Sequence, residues 1–186
     1  MPLAKGSFER LSAESRSPVV RSLLGSMGAM RIALASDHAA VTLKSQVLEH
    51  LDGRGYEIRD LGTDDPTVSV DYPDYGAAVG RAVATGSADL GIALCGSGIG
   101  IAMAANKIAG VRAAVIWDVT TGHLAREHNH ANVICLGERV TGASTALEAI
   151  DAYLAASPAE GRHLRRIDKL AALDDAASLP PEIEER

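Results

Sequence analysis

Cys95 stands directly in front of a glycine-rich stretch, "CGSGIGIAMAANK" (residues 95–107), and the pairing of a thiol with such a loop suggests chemistry. Glycines at 96, 98 and 100 let a run of backbone N–H groups approach a negatively charged oxygen closely, with a helix start beyond them. The stretch is neither common nucleotide loop: no Gly-Lys-Ser/Thr follows at Walker spacing, and G-x-G-x-G is not the dinucleotide fingerprint. A cysteine-phosphatase loop would carry an arginine six residues after the cysteine, where this chain has Ile101. Two readings of Cys95 stand. A free cysteine at a strand end is by default a small buried hydrophobe. The nested amides and the helix start favour instead a thiolate, which can move a proton on carbon while an anion hole holds the oxyanion that forms.

Other reactive residue types fall at element ends. "SDHAA" puts Asp37 and His38 just after a strand, where Asp37 could simply cap the next helix. His128-Asn129-His130 follow a helical stretch, a place where the dipole alone favours histidine. In "EGRHLRRIDKL", Arg162 and Arg166 share a face if the segment is helical, forming either a solvated basic face or a two-arginine phosphate clamp. Asp71-Tyr72-Pro73 close a long loop, "GTDDPTVSVDYPDYG", and long loops at a site edge often carry function.

The elements that must position these residues alternate. Strand-like runs cover 31–36, 56–62, 88–95, 111–117 and 132–137, each read as continuously apolar. Helical patterns cover 40–54, 73–86, 99–109, 119–128 and 142–156. Five strand–helix repeats imply an α/β fold: a three-layer αβα sandwich around a five-stranded, parallel, doubly wound (Rossmann-like) sheet. Ligands of such sheets bind beyond the carboxyl ends of the strands, at the switch point.

Composition agrees. The 186 residues suffice for one domain with a sizeable core, and with 47% hydrophobic but 3% aromatic residues that core must be aliphatic. The net charge of −6, with no long basic run, argues against nucleic acid as a partner, and no apolar stretch approaches a membrane span. Cys95 and Cys135 read as free thiols of a reducing, cytoplasmic compartment. Residues 1–29 are expected to be a disordered, dispensable extension, since Glu9 and Glu14 weaken a transit-peptide reading. Residues 30–173 form the functional domain on this reading, and residues 174–186 a disordered acidic tail.

"SDHAA", "DYPDYG", "CGSGIGIAMAANKIAGVRAA", "REHNHANVICLGERVTG" and "EGRHLRRIDKL" together resemble the type B ribose-5-phosphate isomerases, whose wider family includes galactose-6-phosphate isomerase subunits. The resemblance spans about residues 31–173, with the motifs in order. It implies an aldose–ketose isomerase without cofactor or metal, interconverting ribose 5-phosphate and ribulose 5-phosphate through an enediolate. By matching position it makes Cys95 the base that shuttles a proton between C1 and C2. Gly96, Ser97, Gly98, Ile99 and Gly100 become the anion hole, with Ser97 counted among the catalytic groups. His128 becomes the acid that opens the furanose ring, with Asn129 beside it. Asp37, His38 and Tyr72 become substrate contacts, and Arg139, Arg162 and Arg166 hold the phosphate. Where many relatives carry an acidic residue after His-Asn, this chain has His130.

Topology adds that His128 and both late arginines should lie at the sheet edge opposite Cys95. A homodimer with shared active sites, or a tetramer built from it, would unite them, as the resemblance also implies. The alternative substrates are six-carbon sugar phosphates such as allose or galactose 6-phosphate. A non-catalytic sugar-phosphate-binding module and a thiol redox role are weaker alternatives: base and ring-opening histidine are both present, and no Cys-x-x-Cys occurs.

Overall fold

The computed structural model describes residues 28–174. Apart from Gly28, Ala29 and Asp174, the expected N-terminal extension and acidic tail lie outside the described residues.

Five strands form one parallel sheet: β1 (Met30–Ser36), β2 (Tyr56–Asp60), β3 (Leu90–Cys95), β4 (Ala113–Val115) and β5 (Val133–Gly137), in the order β2-β1-β3-β5-β4. The chain winds outward from β1 to β2, then crosses back to β3 on the other side of β1. The crevice between β1 and β3 at their carboxyl ends is therefore the switch point. There Ser36 pairs with Leu94, and the Asp37 N–H donates to the Leu94 carbonyl at 3.2 Å.

Helices cover both faces. Helices α1 (Val41–Leu51), α4 (Val119–Glu127) and α5 (Ala143–Ala155) pack on one side, against Ile32, Leu34, Ile92, Leu94, Ile134 and Leu136. On the other side α2 (Tyr72–Ala84) and α3 (Ile99–Ala105) meet Ala33, Ala35, Ala93, Cys95 and Cys135. Strand alternation thus sorts large side chains to one face and small ones to the other. The small face lets α2 approach closely: a Cβ on Gly91 would stand 2.5 Å from Val79 Cγ1. A sixth helix, α6 (Arg162–Ala172), confirms the conditional helical reading of the arginine segment.

Two expectations need correction. β2 is an edge strand that is half exposed rather than continuously apolar, with Glu57, Arg59 and Asp60 exposed and only Tyr56 and Ile58 partly covered. β4 is three residues long, shorter than the 111–117 run. It pairs with β5 alone, and the Asn106 side-chain amide takes both backbone groups of Ala113 on its free edge, at 2.8 Å each. That cap ends pairing on the open edge, a common way of blunting it, and Asn106 reaches it because α3 stops at Ala105.

Candidate active site

Cys95, the last residue of β3, points to the small-residue face and is 4% exposed. The loop curls back over it, so that the Gly98 N–H donates to Sγ at 3.1 Å, the contact a thiolate uses best. Gly98 achieves this with φ +77, where a Cβ would also stand 2.9 Å from the Leu136 carbonyl carbon. Only glycine satisfies both conditions.

The turn after β5 braces this loop. A side chain on Gly137 would overlap the Ser97 backbone. The Glu138 N–H donates to the Cys95 carbonyl and the Arg139 N–H to the Gly96 carbonyl, both at 3.0 Å. The Glu138 carboxylate accepts the Leu43 N–H at 2.8 Å, serving the start of α1 where Ala40 offers no side-chain cap. So fixed, the Arg139 guanidinium lies over Gly96, with Nη1 3.2 Å from where a Cβ would be.

On the β1 side, Asp37 Oδ1 accepts the Ala39 N–H at 2.9 Å and caps a short 3₁₀ turn, His38–Ala40. The capping reading of Asp37 is correct, and the buried carboxylate also lines the cleft. His38 Nδ1 accepts the Val70 N–H at 3.1 Å, which leaves the proton of the neutral ring on Nε2. Val70 belongs to the long loop after β2, and a buried cation holds the loop's other end. Lys44 of α1, 1% exposed, donates to Asp60 at 2.7 Å and Asp64 at 2.5 Å. Burial alone would push its ammonium down, but the two carboxylates hold it above its ordinary value. The loop ends in Tyr72, whose ring lies on Gly100, 2.7 Å from the place of a Cβ.

A cleft of about 330 Å³ results, lined by Asp37, His38, Tyr72, Cys95, Gly96, Ser97, Gly100 and Arg139, with Ala39 and Val140. Eight residues picked out by sequence therefore converge, although Gly98 lies buried beneath the loop and Ile99 is 49% exposed. Lys44, Glu138, Val140 and Gly137 were not singled out by sequence, yet the last three lie within "REHNHANVICLGERVTG" and its spacing.

Another group stands at the opposite sheet edge. His128 closes α4, with Nε2 3.3 Å from the Glu127 carboxylate, and stacks on His163 with centroids 4.5 Å apart and planes 19° from parallel. Burial, with His128 and Arg162 nearby, pushes His163 below its ordinary value, so the stack holds a neutral ring. Asn129, Arg162 and Arg166 are exposed here. β3 alone separates the two edges by about 16 Å. The second thiol, Cys135, is fully buried, and burial and Cys95 push it far above its ordinary value. It is inert as a nucleophile. Among the described residues, no group of three or more His, Cys, Asp or Glu side chains could hold a metal ion, and no helix is long and apolar enough to cross a membrane.

The family profile described as Ribose/Galactose Isomerase matches residues 32–170. The chain belongs to the ribose/galactose isomerase family. Within this family it is 42% identical to ribose-5-phosphate isomerase B of Escherichia coli over 144 residues, 77% of this chain and 96% of that protein. The fold superposes on ribose-5-phosphate isomerase B of Clostridium thermocellum with a TM-score of 0.77 and 44% identity, covering 80% of this chain and 100% of the other. A third family member, ribose-5-phosphate isomerase B of Mycoplasma genitalium solved with bound ribulose 5-phosphate, gives 0.76 and 41% identity, covering 80% and 98%.

Proposed function

We propose that the chain interconverts ribose 5-phosphate and ribulose 5-phosphate, with residues 30–173 as the isomerase domain. One observation carries the reading: a buried thiol, gripped by a loop amide, at the floor of a polar cleft that opens at the switch point. In the open-chain aldose, Cys95 Sγ takes the C2 proton, and the electron pair shifts to give a 1,2-enediolate. Backbone N–H groups of the 96–100 loop other than that of Gly98, which stays on Sγ, hold the developing oxyanion with Ser97 Oγ. The proton returns to C1, a hydroxyl proton moves between O1 and O2, and the ketose forms with no net oxidation. His38 Nε2–H and Asp37 bind sugar hydroxyls, Tyr72 closes one wall, and Arg139 faces the phosphate end.

His128 is the acid that opens the furanose ring, Asn129 contacts the sugar, and Arg162 and Arg166 hold the phosphate. These four reach Cys95 only from a second copy, so we infer a two-fold homodimer with two shared sites, the commonest closed symmetry. Exposed Ile99 and Met103 beside the cleft and Leu164 and Leu170 on α6 offer apolar surface for that contact. Two buried free thiols agree with a cytoplasmic location.

The test is turnover of ribose 5-phosphate without added metal, with Cys95→Ala alongside. Parent turnover and a loss of about 10³-fold or more in kcat for the variant support the thiol as base. Equal rates place the base elsewhere. The family profile also covers galactose isomerases, so allose and galactose 6-phosphates are assayed in parallel. A higher kcat/KM for either makes the six-carbon sugar the substrate.

A further inference from the structure

The structure assigns a role to His130: we propose that it is a positioning residue whose ring latches residues 156–161 to the end of α4. It thereby holds Arg162, His163 and Arg166 beside His128.

The backbone makes the case first. Among the described residues His130 is the one non-glycine with positive φ, at +48. The chain leaves α4 through it in a left-handed turn. Its N–H donates to the Arg126 carbonyl at 3.1 Å, and the next N–H, of Ala131, donates to Ala125 at 2.9 Å. Glycine is the usual residue at such a helix exit, because a β-carbon is crowded there. A histidine in that place is explained by what its ring reaches.

The ring reaches across 29 residues of sequence. Nε2 donates to the Ala159 carbonyl at 2.7 Å, while the Ala159 N–H donates to the Glu127 carbonyl at 2.8 Å. Both polar backbone atoms of Ala159 are thus held by the end of α4. The latch is itself anchored, since the Arg112 guanidinium donates twice to the His130 carbonyl, at 3.1 and 3.0 Å. Two residues past Ala159, Gly161 turns the chain at φ +68 into α6, which starts with Arg162 and His163. The His128–His163 stack is then the second tie between arm and helix end. A third, at the far end of α6, joins the Asp174 carboxylate to the Gly110 N–H at 2.7 Å. An acidic side chain in place of His130 could not make the same contact, because the Ala159 carbonyl needs a donor.

What the arm is held for rests on the reading that Arg162 and Arg166 grip the substrate phosphate. The experiment compares the full chain with H130G, which relaxes the backbone and deletes the ring, and H130Q, which keeps a side-chain donor. Hydrogen–deuterium exchange of residues 156–161 reads the latch directly. In H130G it should accelerate by about tenfold relative to the parent, and in H130Q by less. The KM for ribose 5-phosphate should rise about tenfold in H130G, with kcat within about twofold and partial recovery in H130Q. A merely structural defect would lower the active fraction, and so kcat, without moving KM. Unchanged exchange in H130G overturns the latch, and faster exchange with unchanged KM overturns the positioning role. If the parent does not turn over ribose 5-phosphate, the isomerase reading fails by itself. Exchange in H130G then still upholds or overturns the latch.

Discussion

The two edges of the sheet are built on opposite principles. At the carboxyl edge the loops interlock: Gly137 lies on Ser97, Glu138 is tied to α1, and Tyr72 lies on Gly100. Lys44, beneath, pins the long loop between two carboxylates. At the amino edge His128, Asn129, Arg162 and Arg166 stand at least partly open to solvent, on one helix end and on the segment latched to it through Ala159. An interlocked edge suits groups that must keep sub-ångström positions through a proton transfer. An open edge suits groups that, in the proposed dimer, would meet their partners on another copy.

The largest effect would come from bringing the two edges together in trans. Cys95→Ala and His128→Ala should each be nearly inactive alone. Refolded together in equal amounts, they should recover about a quarter of parental activity, because half of the dimers are mixed and each carries one intact site. No recovery, with mixed dimers shown by mass spectrometry, would break the comparison at its root.

Next in size is the interlock itself. Gly137→Ala drives a methyl group into the Ser97 backbone, and should lower stability by about 2–4 kcal/mol along with kcat. Gly142→Ala, five residues on with open space around it, should cost about 1 kcal/mol or less in the same urea titration, the cost of changing the N-cap of α5 alone.

Smallest is Lys44→Met, which should cost about 1–2 kcal/mol and raise KM several-fold by loosening the 61–71 loop. Its pH signature has a definite sign. The Lys44 pKa is raised in the folded chain, so its stabilisation is complete below the ordinary lysine value and is lost as pH climbs through the raised one. Urea midpoints should therefore converge between parent and Lys44→Met at strongly alkaline pH. Parallel curves would remove Lys44 from the account.

Most of this architecture was legible in the residue pattern. Strand and helix runs fall within a few residues of the observed elements, because apolar periodicity is local and each element carries its own. The cleft was legible as a cluster of motifs, since every strand of a parallel sheet delivers its following loop to the same edge. The exposed character of β2 was not, because edge or centre is decided by strand order rather than by the strand. Lys44 and Glu138 were not singled out for a related reason. The Glu138 contact joins residues 95 apart, and no periodicity marks a carboxylate that will meet a distant helix start. His130 was visible only as a histidine where the resemblance leads one to expect an acidic residue, and its partner at Ala159 is a backbone carbonyl, which has no signature in sequence.

The unequal faces of the sheet divide the molecule for anyone who would redesign it. Around Ile92 and Leu94, large side chains meet α1 and α5, and a change of volume can be traded among several neighbours. Across the sheet no such slack exists: one methyl group added at Gly91 would press on Val79, and one at Gly76 on the Ile101 carbonyl, both at 2.5 Å. Either would lever α2 outward and carry Tyr72, at its first turn, off the cleft. Attempts to retune the substrate through the scaffold should therefore enter from the bulky side.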